Sequence, residues 1–545
     1  MPVDTVKASH ALPTLIEKLK FGMGMEMQNC GNPNFIRFKW SIPLNGKKIG
    51  ADIFIHKKLD DMPIVFLENA STYQPLPHLM SEGYLCYIDR TSYVFNRFDP
   101  VNQTLACLLK AKKLILDIFS GKHQETLINE FPSYWHYRWN KSTEKLTAFI
   151  DVSDDSCAKN KLFCFYKNFS SNSIFITDQP QKFLKKIDSQ YQLISQGFFL
   201  ETGKFLKPTK PWPPAVGYEF CNWLGLFDNS LQKKFKELAL PKRNEELKFC
   251  VIKTPLCRVA LCIIFSRNKH LTAYERLYNA QISLMSSNRI DHRFICSRNI
   301  PNMENLTNKK IALIGCGSVG SFLAEALIKL GAGCGLSGEL ALFDNEKFEA
   351  ENIGRHRLGY PSIGKLKVAE MKNEMLRVMP DSKISTFNLN ALELSTNDLE
   401  RYDLVIDATG EEAIGNYLCS ILRSKAMLSV WIEGNGWAAR GLLRTNPNQA
   451  CYHCIRQYEM QGKLQAIKND SHVTLQGGCR TAYVTYSVTA AMLTACLGAD
   501  MVLDWANNRF TPSLRTRLIN QEKELQTNDC SPSPHPNCQA CNPAL

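Results

Sequence analysis

At 545 residues, with 44% hydrophobic and 21% charged residues, the chain has the composition of an ordinary globular protein with roughly two to four domains. It contains no run of about 18 apolar residues and no charged-then-apolar start, so we expect no membrane span, no secretory signal and a cytoplasmic location. The formal charge of +13 is spread over the chain in short runs, such as 207–210 and 233–236. Such runs are typical of solvated surface, and nucleic acid is not an expected partner.

Twenty cysteines is a high count for a chain of this length. Without an export signal, a disulfide framework is not expected, because the cytosol keeps thiols reduced. Some of these cysteines should therefore be metal ligands or nucleophiles, and the others small buried apolar residues.

Residues 1–155 form the first of three predicted blocks. Its hydrophobic pattern and turn residues predict an α+β domain with a short sheet between helices. The predicted elements are a helix over 9–21, strands over 35–40, 48–55 and 63–67, a proline- and histidine-containing loop over 73–78, and a helix over 104–118.

The second block, 156–296, is predicted to be a mixed α/β linker domain. It contains strand-like stretches over 161–166 and 249–265 and a proline cluster over 208–214, and no pattern in it points to chemistry. The third block, 297–545, alternates short buried strands with helices, as a parallel sheet does. Its predicted strands include 311–315, 340–344 and 403–407.

The third block opens with a buried strand, a glycine turn and a helix in direct succession, IALIGCGSVGSFLAEALIKLG. Gly315 permits the tight turn, Gly317 lets the backbone approach a phosphate, and Gly320 allows close packing of helix against strand. The N-terminus of the helix presents free N–H groups to an anion, and Ser318 is among the residues expected to bind the nucleotide. Asp344 ends the next strand, where a carboxylate can bond ribose hydroxyls. The pattern predicts a nucleotide site.

The residues that follow help to identify the nucleotide. Asn352 and Arg355 come just after the ribose carboxylate, and Lys367 follows in the next segment. Cations placed there can neutralise a triphosphate and the charge that develops when pyrophosphate leaves. A hydride-transfer site has no need for them, so ATP is the expected ligand. The alternative is a nicotinamide-dependent oxidoreductase in which Arg355 and Lys367 are ordinary surface charges.

These motifs resemble those of the adenylyltransferases that include ubiquitin-activating enzymes and the bacterial thiamine and molybdopterin sulfur-carrier activators. The resemblance covers residues 297–545 and is carried by the glycine loop, Asp344, the N-x-x-R segment ending at Arg355, and the G-x-x-K lysine, Lys367. It implies a Rossmann-like adenylation domain with a parallel-rich sheet, in which these residues hold ATP and Mg²⁺. Domains of this family are generally dimeric, so it also implies a homodimer.

Two positions depart from the family pattern. The family usually has glutamine after the arginine, and this chain has His356. The family also reads T-D-N after the fourth strand, where the aspartate helps to hold magnesium, and this chain has Gly410 at that place. Asp407 is the preferred replacement and Glu411 the alternative. The resemblance further implies an arginine that reaches into the partner subunit's site, for which Arg298 is the candidate.

Two CxxC pairs lie in the C-terminal part of the third block. Each pair can place two thiolates on one metal, and two pairs complete a closed tetrahedral zinc site, whose role is structural. A pair of redox motifs is the alternative. The resembling family carries two such pairs in the same relative places, which favours zinc over the other reading, with His453 and Cys530 as less favoured ligands. The expected ligands are Cys451, Cys454, Cys538 and Cys541.

Cys479 follows two glycines in a polar stretch and precedes a long apolar helix. A thiol near a helix N-terminus has a lowered pKa, which favours the nucleophilic thiolate, and the neighbouring Arg480 acts in the same direction. The surroundings resemble the crossover segment that carries the transthiolating cysteine in ubiquitin-type activating enzymes. That resemblance implies a catalytic role, and the alternative is a spare cysteine in a loop. Cys496, inside the apolar helix, is interpreted as a core residue.

The first block contains a second candidate thiol. Cys86 follows a proline-rich turn, His78 and a glycine turn, and it precedes a helix that starts at Pro100. From chemistry alone, a lone buried cysteine is the commoner reading. The order of features over about residues 10–150 resembles ubiquitin-conjugating enzymes, which implies that Cys86 is the acyl-carrying cysteine. The usual H-P-N tripeptide is replaced by PHLM, so His78 is the candidate for the role of its asparagine.

Together, the two resemblances are similar to the fused activating and conjugating enzymes of bacterial CBASS antiphage operons. That family implies ATP-dependent ligation: the C-terminus of a protein partner, a nucleotidyltransferase or a ubiquitin-like protein, is adenylated, captured on Cys479, relayed to Cys86 and attached to target lysines. Two alternatives remain. One is the nicotinamide-dependent oxidoreductase given above, and the other is a sulfur-carrier-type adenylyltransferase fused to a non-catalytic N-terminal binding module in which Cys86 is merely buried.

Overall fold

The computed structural model describes residues 4–80, 83–136, 146–152, 161–167, 172–181, 184, 191–268, 270–468, 474–475 and 483–542. The chain divides into two compact units, Met1–Arg289 and Ile290–Leu545. The first unit contains an open sheet and a barrel, and the second contains one large sheet. The boundaries near residues 155 and 296 stay predictions.

The N-terminal sheet of the first unit is antiparallel, with its strands in chain order. Along its longest strands buried and exposed residues alternate, because successive side chains point to opposite faces. The buried face packs against the N-terminal helix and the long helix Pro100–Phe119. The strands are Glu26–Gln28, Phe35–Leu44, Lys47–His56 and Ile64–Leu67, and the other helices of this part are Asp4–Glu17, the π-helical turn Lys18–Gly22, Ala70–Tyr73, Thr126–Asn129 and Phe131–His136.

The predicted strands and helices of the first block are confirmed. The helix Pro100–Phe119 begins earlier than the apolar pattern indicates, because Asp99 caps it by accepting a hydrogen bond from the Asn102 N–H at 3.4 Å. Proline at the first helical position suits this start, since its missing N–H would have had no helical partner.

In the described part of the first unit, seven strands close into a barrel. The strand-like stretch predicted over 249–265 is confirmed, and it contains two strands. It is a hairpin of two buried strands joined at Thr254–Cys257, and the apolar side chains of both strands had produced one continuous run. In order around the barrel the strands are Arg258–Ile264, Gln281–Arg289, Thr147–Asp151, Ser173–Thr177, Leu162–Lys167, Tyr191–Glu201 and Leu247–Lys253.

An aromatic core joins the barrel to the helices around it. Trp135, Trp212 and Trp223 pack together with Phe131 and Phe220. The indole N–H of Trp135 donates to the Ala260 carbonyl in a barrel strand at 2.9 Å, so its polar edge is satisfied inside this apolar cluster. The helices of this region include Gly217–Gly225, Asn229–Leu238 and Ala273–Tyr278.

Within the described residues, the sheet of the second unit has five parallel strands followed by two strands that each pair antiparallel with the preceding one, which confirms the predicted α/β class. The chain leaves Lys310–Ile314 in one direction along the sheet and returns to its other side at Leu404–Asp407. Such a reversal opens a crevice at the carboxyl ends of the strands, where ligands bind in open α/β sheets. The order is Ile384–Phe387, Glu339–Phe343, Lys310–Ile314, Leu404–Asp407, Met427–Glu433, Ala438–Arg444 and Leu514–Leu518.

Helices cover this sheet, and the glycine-loop helix packs against the long helix Val488–Ala506. By length and composition alone, Val488–Ala506 could cross a membrane, but a core helix passes the same test, and it packs on the sheet. The interpretation of Cys496 as a core residue is wrong, because it lies on the exposed face of this helix. The remaining helices are His292–Ser297, Ser318–Lys329, Ala350–Arg355, Tyr360–Ser362, Lys367–Val378, Ala391–Glu393, Thr396–Leu399, Glu412–Ile421 and Tyr452–Met460.

Candidate active site

The glycine loop lies where the strand Lys310–Ile314 ends. Gly315 has a φ of +88°, which strains other residues, and its N–H donates to the Phe343 carbonyl at 2.8 Å. A Cβ at Gly320 would lie 1.9 Å from the Gly315 oxygen, so only glycine permits this approach of helix to strand. A Cβ at Gly317 would meet no atom within 4 Å, which leaves the backbone there open to a ligand.

Both polar groups of the Cys316 backbone are held by side chains. Its N–H donates to Asp344 Oδ2 at 2.8 Å, and its carbonyl lies 2.7 Å from His356 Nε2. Leu358 N–H donates to His356 Nδ1 at 3.0 Å, so Nδ1 is the acceptor nitrogen and Nε2 donates to Cys316. Burial lowers the pKa of His356 to about 4, which keeps the imidazole neutral. His356 thus supplies the donor that the family's glutamine amide can supply.

Asp344 stands at the edge of the crevice with both oxygens engaged. Its Oδ1 accepts the Glu346 N–H at 2.8 Å, opposite the bond from Cys316. Burial raises the pKa of Asp344, while the two backbone donors and the charge of Lys367 act against that rise. A carboxylate fixed this way keeps lone pairs free for ribose hydroxyls.

A cavity of about 1090 Å³ opens at the carboxyl ends of the strands. This is slightly above the roughly 300–1000 Å³ common for small-molecule sites. Its wall includes most of the residues predicted to bind nucleotide: Gly315, Gly317, Ser318, Asp344, Asn352, Arg355 and Lys367.

The cations in this wall are held in different ways. The Lys367 side chain is 5% exposed, and its ammonium pairs with the carboxylate of Glu346. The Arg355 guanidinium lies 4.9 Å from the centre of the Tyr486 ring, and its buried Nε has no hydrogen-bond partner among the described residues. The Asn352 amide oxygen accepts the Glu349 N–H at 2.9 Å, which fixes the turn that carries Arg355.

The carboxylates near the fourth strand differ in access. Asp407 is 4% exposed, accepts hydrogen bonds from the Thr409 N–H and hydroxyl at 3.1 and 2.7 Å, and is absent from the described cavity wall. Burial raises the pKa of Asp407 to about 6. Glu411 lies in the cavity wall. Gly410 has a φ of +70°, a backbone conformation that disfavours the aspartate of the family pattern.

The structure does not place two of the predicted catalytic residues, Arg298 and Cys479, at this cavity. Arg298 is exposed at the end of the helix His292–Ser297 and is not among the described residues that line the cavity. Cys479 lies outside the described residues. Their roles therefore stay predictions.

The structure brings the four CxxC thiols together. The Sγ atom of Cys451 lies 3.6 Å from those of Cys454 and Cys538, and Cys541 Sγ lies 3.5 Å from those of Cys451 and Cys454. A tetrahedral site with Zn–S bonds of about 2.3 Å separates its sulfurs by about 3.8 Å, so the thiols fit zinc. The backbone N–H of His535 donates to Cys454 Sγ at 3.3 Å, as outer partners of metal thiolates do.

The helix that begins at the four-thiol cluster forms part of one wall of the cavity, which no sequence pattern had indicated. The helix Tyr452–Met460 starts at Cys451 and places Tyr452 and Arg456 in the wall. Arg456 Nη2 lies 3.0 Å from a carboxylate oxygen of Glu412, which also lines the cavity. Because Tyr452 and Arg456 are common residue types without a characteristic spacing, only the fold reveals their position.

In the first unit, Cys86 is half-buried, and its backbone N–H donates to the His78 carbonyl at 2.8 Å. Burial raises the pKa of the Cys86 thiol, and the negative charges of Glu130 and Asp89 raise it further. The carboxylate of Glu130 lies 2.8 Å from His78 Nδ1. Glu130 is separated from His78 by 52 positions, so no local motif could have revealed this contact.

Comparison with known proteins covers both halves of the chain. Residues 287–540 match the ThiF family, and residues 25–143 match prokaryotic E2 family B. The ATP-dependent ubiquitin transferase-like protein Cap2 of Pseudomonas aeruginosa is 35% identical over 485 residues, which cover 86% of each chain. Proteins of the same name from Vibrio cholerae and Escherichia coli are 26% and 23% identical; the matches cover 79% and 91% of this chain and 80% and 90% of theirs.

If the four thiols hold a structural zinc ion, purified protein should contain about one zinc per chain. Cys538→Ser should remove it and destabilise the second unit, because the ion ties the C-terminus to the helix Tyr452–Met460. Metal analysis and thermal unfolding measure both effects. Cys530→Ser, outside the cluster, is the matched control. A folded wild-type protein without metal would contradict the zinc assignment.

His356 makes stability depend on pH between 6.5 and about 4. Because its folded-state pKa of about 4 lies below its ordinary value of 6.5, the unfolded chain takes up the proton first and acid favours unfolding. Its contribution, about 3 kcal/mol, is complete above pH 6.5 and is lost as pH falls to about 4. Denaturant titrations of His356→Gln should therefore show a shallower loss of unfolding free energy across this range. Parallel curves for wild type and variant would show that His356 titrates normally.

Proposed function

Because the chain belongs to the Cap2 family of ATP-dependent ubiquitin transferase-like proteins, we propose that it activates the C-terminal carboxylate of a partner protein and transfers the acyl group to amines of target molecules. It is an ATP-dependent enzyme with a ThiF-family adenylyltransferase and an E2-like domain in one chain. The proposed partner is a nucleotidyltransferase or a ubiquitin-like protein, the targets carry lysines, and the setting is antiphage defence in the cytoplasm.

In the proposed first step, a carboxylate oxygen of the partner's C-terminus attacks the α-phosphorus of ATP and pyrophosphate leaves. Lys367 and Arg355 lie in the cavity wall, where their charges can neutralise the phosphates and the leaving group. The Cys316 loop and the helix that follows present backbone donors to the phosphates. Asp344 is placed to bind the ribose.

Magnesium would supply further neutralisation of the phosphate charge. Asp407 was the preferred carboxylate for it, but the geometry favours Glu411, which lines the cavity while the Asp407 carboxylate is buried against Thr409. We therefore assign the magnesium role to Glu411 in this proposal.

The acyl-adenylate is then captured by the thiol of Cys479, and AMP leaves. The Cys86 thiol attacks the resulting thioester, so the acyl group moves to the E2-like domain. An amine finally attacks the Cys86 thioester and forms an amide. A carboxylate is inert until it has a good leaving group, and a covalent relay divides one difficult step into easier ones.

One combined observation carries the proposal. A cavity lined by Arg355, Lys367 and Asp344 lies in one unit, and a half-buried Cys86 opposite His78 lies in the E2-like part of the same chain. A sulfur-carrier activator needs the cavity but does not need Cys86 and His78.

A homodimer is part of the proposal. The helix Val488–Ala506 exposes an apolar face, with Met492 45% and Leu493 50% exposed beside Cys496. Surfaces of this kind are typical of protein contacts. In such a dimer Arg298 is proposed to reach the cavity of the partner subunit.

Substitution of the two thiols separates the steps of the relay. With ATP and partner, Cys86→Ala should accumulate a reducible thioester on Cys479, because the acyl group has no further acceptor. Cys479→Ala should abolish all thioester and retain ATP–pyrophosphate exchange. Non-reducing gels and exchange assays measure both. If Cys479→Ala still charges Cys86, the proposed order is wrong.

The magnesium assignment predicts different effects for the two carboxylates. Glu411→Gln should raise the Mg²⁺ concentration needed for half-maximal ATP–pyrophosphate exchange by about tenfold, as loss of a metal-binding group does. Asp407→Asn should have the smaller effect, since its carboxylate does not face the cavity. A larger effect of Asp407→Asn in the same Mg²⁺ titration would return the role to Asp407.

A further inference from the structure

The segment around Cys86 is a short antiparallel hairpin. Leu79 and Leu85 are bridged, and the Met80 N–H donates to the Tyr84 carbonyl at 2.8 Å. The next pair outward is His78 with Cys86, whose N–H donates to the His78 carbonyl. The register therefore sets the backbone of His78 opposite that of Cys86, and this one hydrogen bond joins the two residues.

His78 does not return the second hydrogen bond of this pair. Its backbone N–H donates instead to Glu130 Oε2 at 2.9 Å, and its Nδ1 lies 2.8 Å from Glu130 Oε1. One carboxylate thus binds both the backbone and the ring of His78. His78 has a φ of +60°, an uncommon conformation for a residue other than glycine and one that clusters at active sites.

The contact with Glu130 determines which ring nitrogen of His78 is free to react. An ionised carboxylate only accepts hydrogen bonds, so Nδ1 of His78 carries a proton and donates to Glu130. In the neutral ring, Nε2 is then the unprotonated nitrogen. Nε2 can therefore accept a proton. It cannot donate a hydrogen bond to an oxyanion, whereas the amide of an asparagine can.

Resting on the proposed function, we propose that His78 is the general base of the final transfer and that Glu130 orients it. The amine nitrogen attacks the thioester carbonyl carbon, a C–N bond forms and the C–S bond to Cys86 breaks. His78 Nε2 takes one proton from the amine and delivers it to the departing Cys86 sulfur. The products are an amide and the free thiol, with His78 neutral again.

The same short segment anchors the hairpin to the barrel. The Tyr134 hydroxyl, one helical turn after Glu130, lies within hydrogen-bond distance of the carbonyls of Leu76 and Leu79, the latter at 3.0 Å. The neighbouring Trp135 donates to Ala260 in a barrel strand. The barrel therefore has a structural role at this site, since it holds the helix Phe131–His136, which directly follows Glu130.

The test loads Cys86 without the activating site. The full-length protein, without ATP, is treated with the thiobenzyl ester of N-acetylglycine, and free lysine is added. Mass spectrometry of the Cys86 peptide follows discharge of the thioester, with hydrolysis in the absence of lysine subtracted. The measurement does not depend on Cys479 or ATP, so an error in the relay leaves it unaffected. If Cys86 accepts no acyl group, it is not a usable acyl carrier and this inference is overturned.

His78→Ala should slow discharge to lysine by about 100-fold, the lower range for loss of a general base, and added imidazole should restore part of the rate. Recovery counts only where imidazole accelerates His78→Ala by a larger factor than it accelerates the wild type, because free imidazole also catalyses thioester aminolysis in solution. His78→Asn should remain slow, because an amide cannot take the proton. Discharge by His78→Asn at the wild-type rate would overturn the base role in favour of an oxyanion donor.

Glu130→Gln should slow the same reaction by about tenfold, and Glu130→Asp should recover part of that loss, because a carboxylate orients the ring. The matched controls are His56→Asn and Asp60→Asn, which alter a second histidine–carboxylate pair of the first unit, joined at 2.5 Å. These controls should discharge at the wild-type rate. Wild-type discharge by Glu130→Gln would remove Glu130 from the arrangement.

Discussion

The nucleotide cavity depends on how the backbone of Cys316 is held. The peptide N–H of this residue donates to Asp344, and its carbonyl accepts from His356, so the glycine loop is fixed from two sides. The same contacts place the Asp344 carboxylate beside the loop and bury the imidazole in its neutral form. Because a protonated ring could not accept from the Leu358 N–H, the loop geometry and the charge state of His356 are coupled.

The helix Tyr452–Met460 joins the four-thiol cluster to the wall of the cavity. Cys451 starts the helix that carries Tyr452 and Arg456 into the cavity wall, and Cys538 ties the C-terminus to the start of that helix. A closed metal site cannot take part in chemistry, but it can hold a wall that a short helix would not hold by itself. In the first unit the barrel supports the surroundings of Cys86 in a similar way. Trp135, in the segment that follows Glu130, donates a hydrogen bond to a barrel strand.

The parts of the structure that could be predicted are those with local patterns. The spacing of Gly315 and Gly320 can be recognised within a few residues, and so can each CxxC pair. Each of these motifs requires one local backbone arrangement. The contacts of Glu130 with His78 span 52 positions, and the closure of the barrel joins Thr147–Asp151 to Gln281–Arg289 across the whole linker. Such pairings depend on which surfaces meet in the folded chain, which no periodicity records. The exposed position of Cys496 could not be predicted for the same reason. The sequence of an apolar helix does not indicate which of its faces other elements cover.

The central claim is that one acyl group passes from the nucleotide cavity through Cys479 to Cys86. Rapid quenching of wild-type protein after mixing with ATP and the partner protein, followed by mapping of acylated cysteine peptides, tests it most directly. The account predicts that acylation of the Cys479 peptide rises first and decays as that of the Cys86 peptide rises after a lag. Acylation of Cys86 without a lag, while Cys479 stays unmodified, would contradict it.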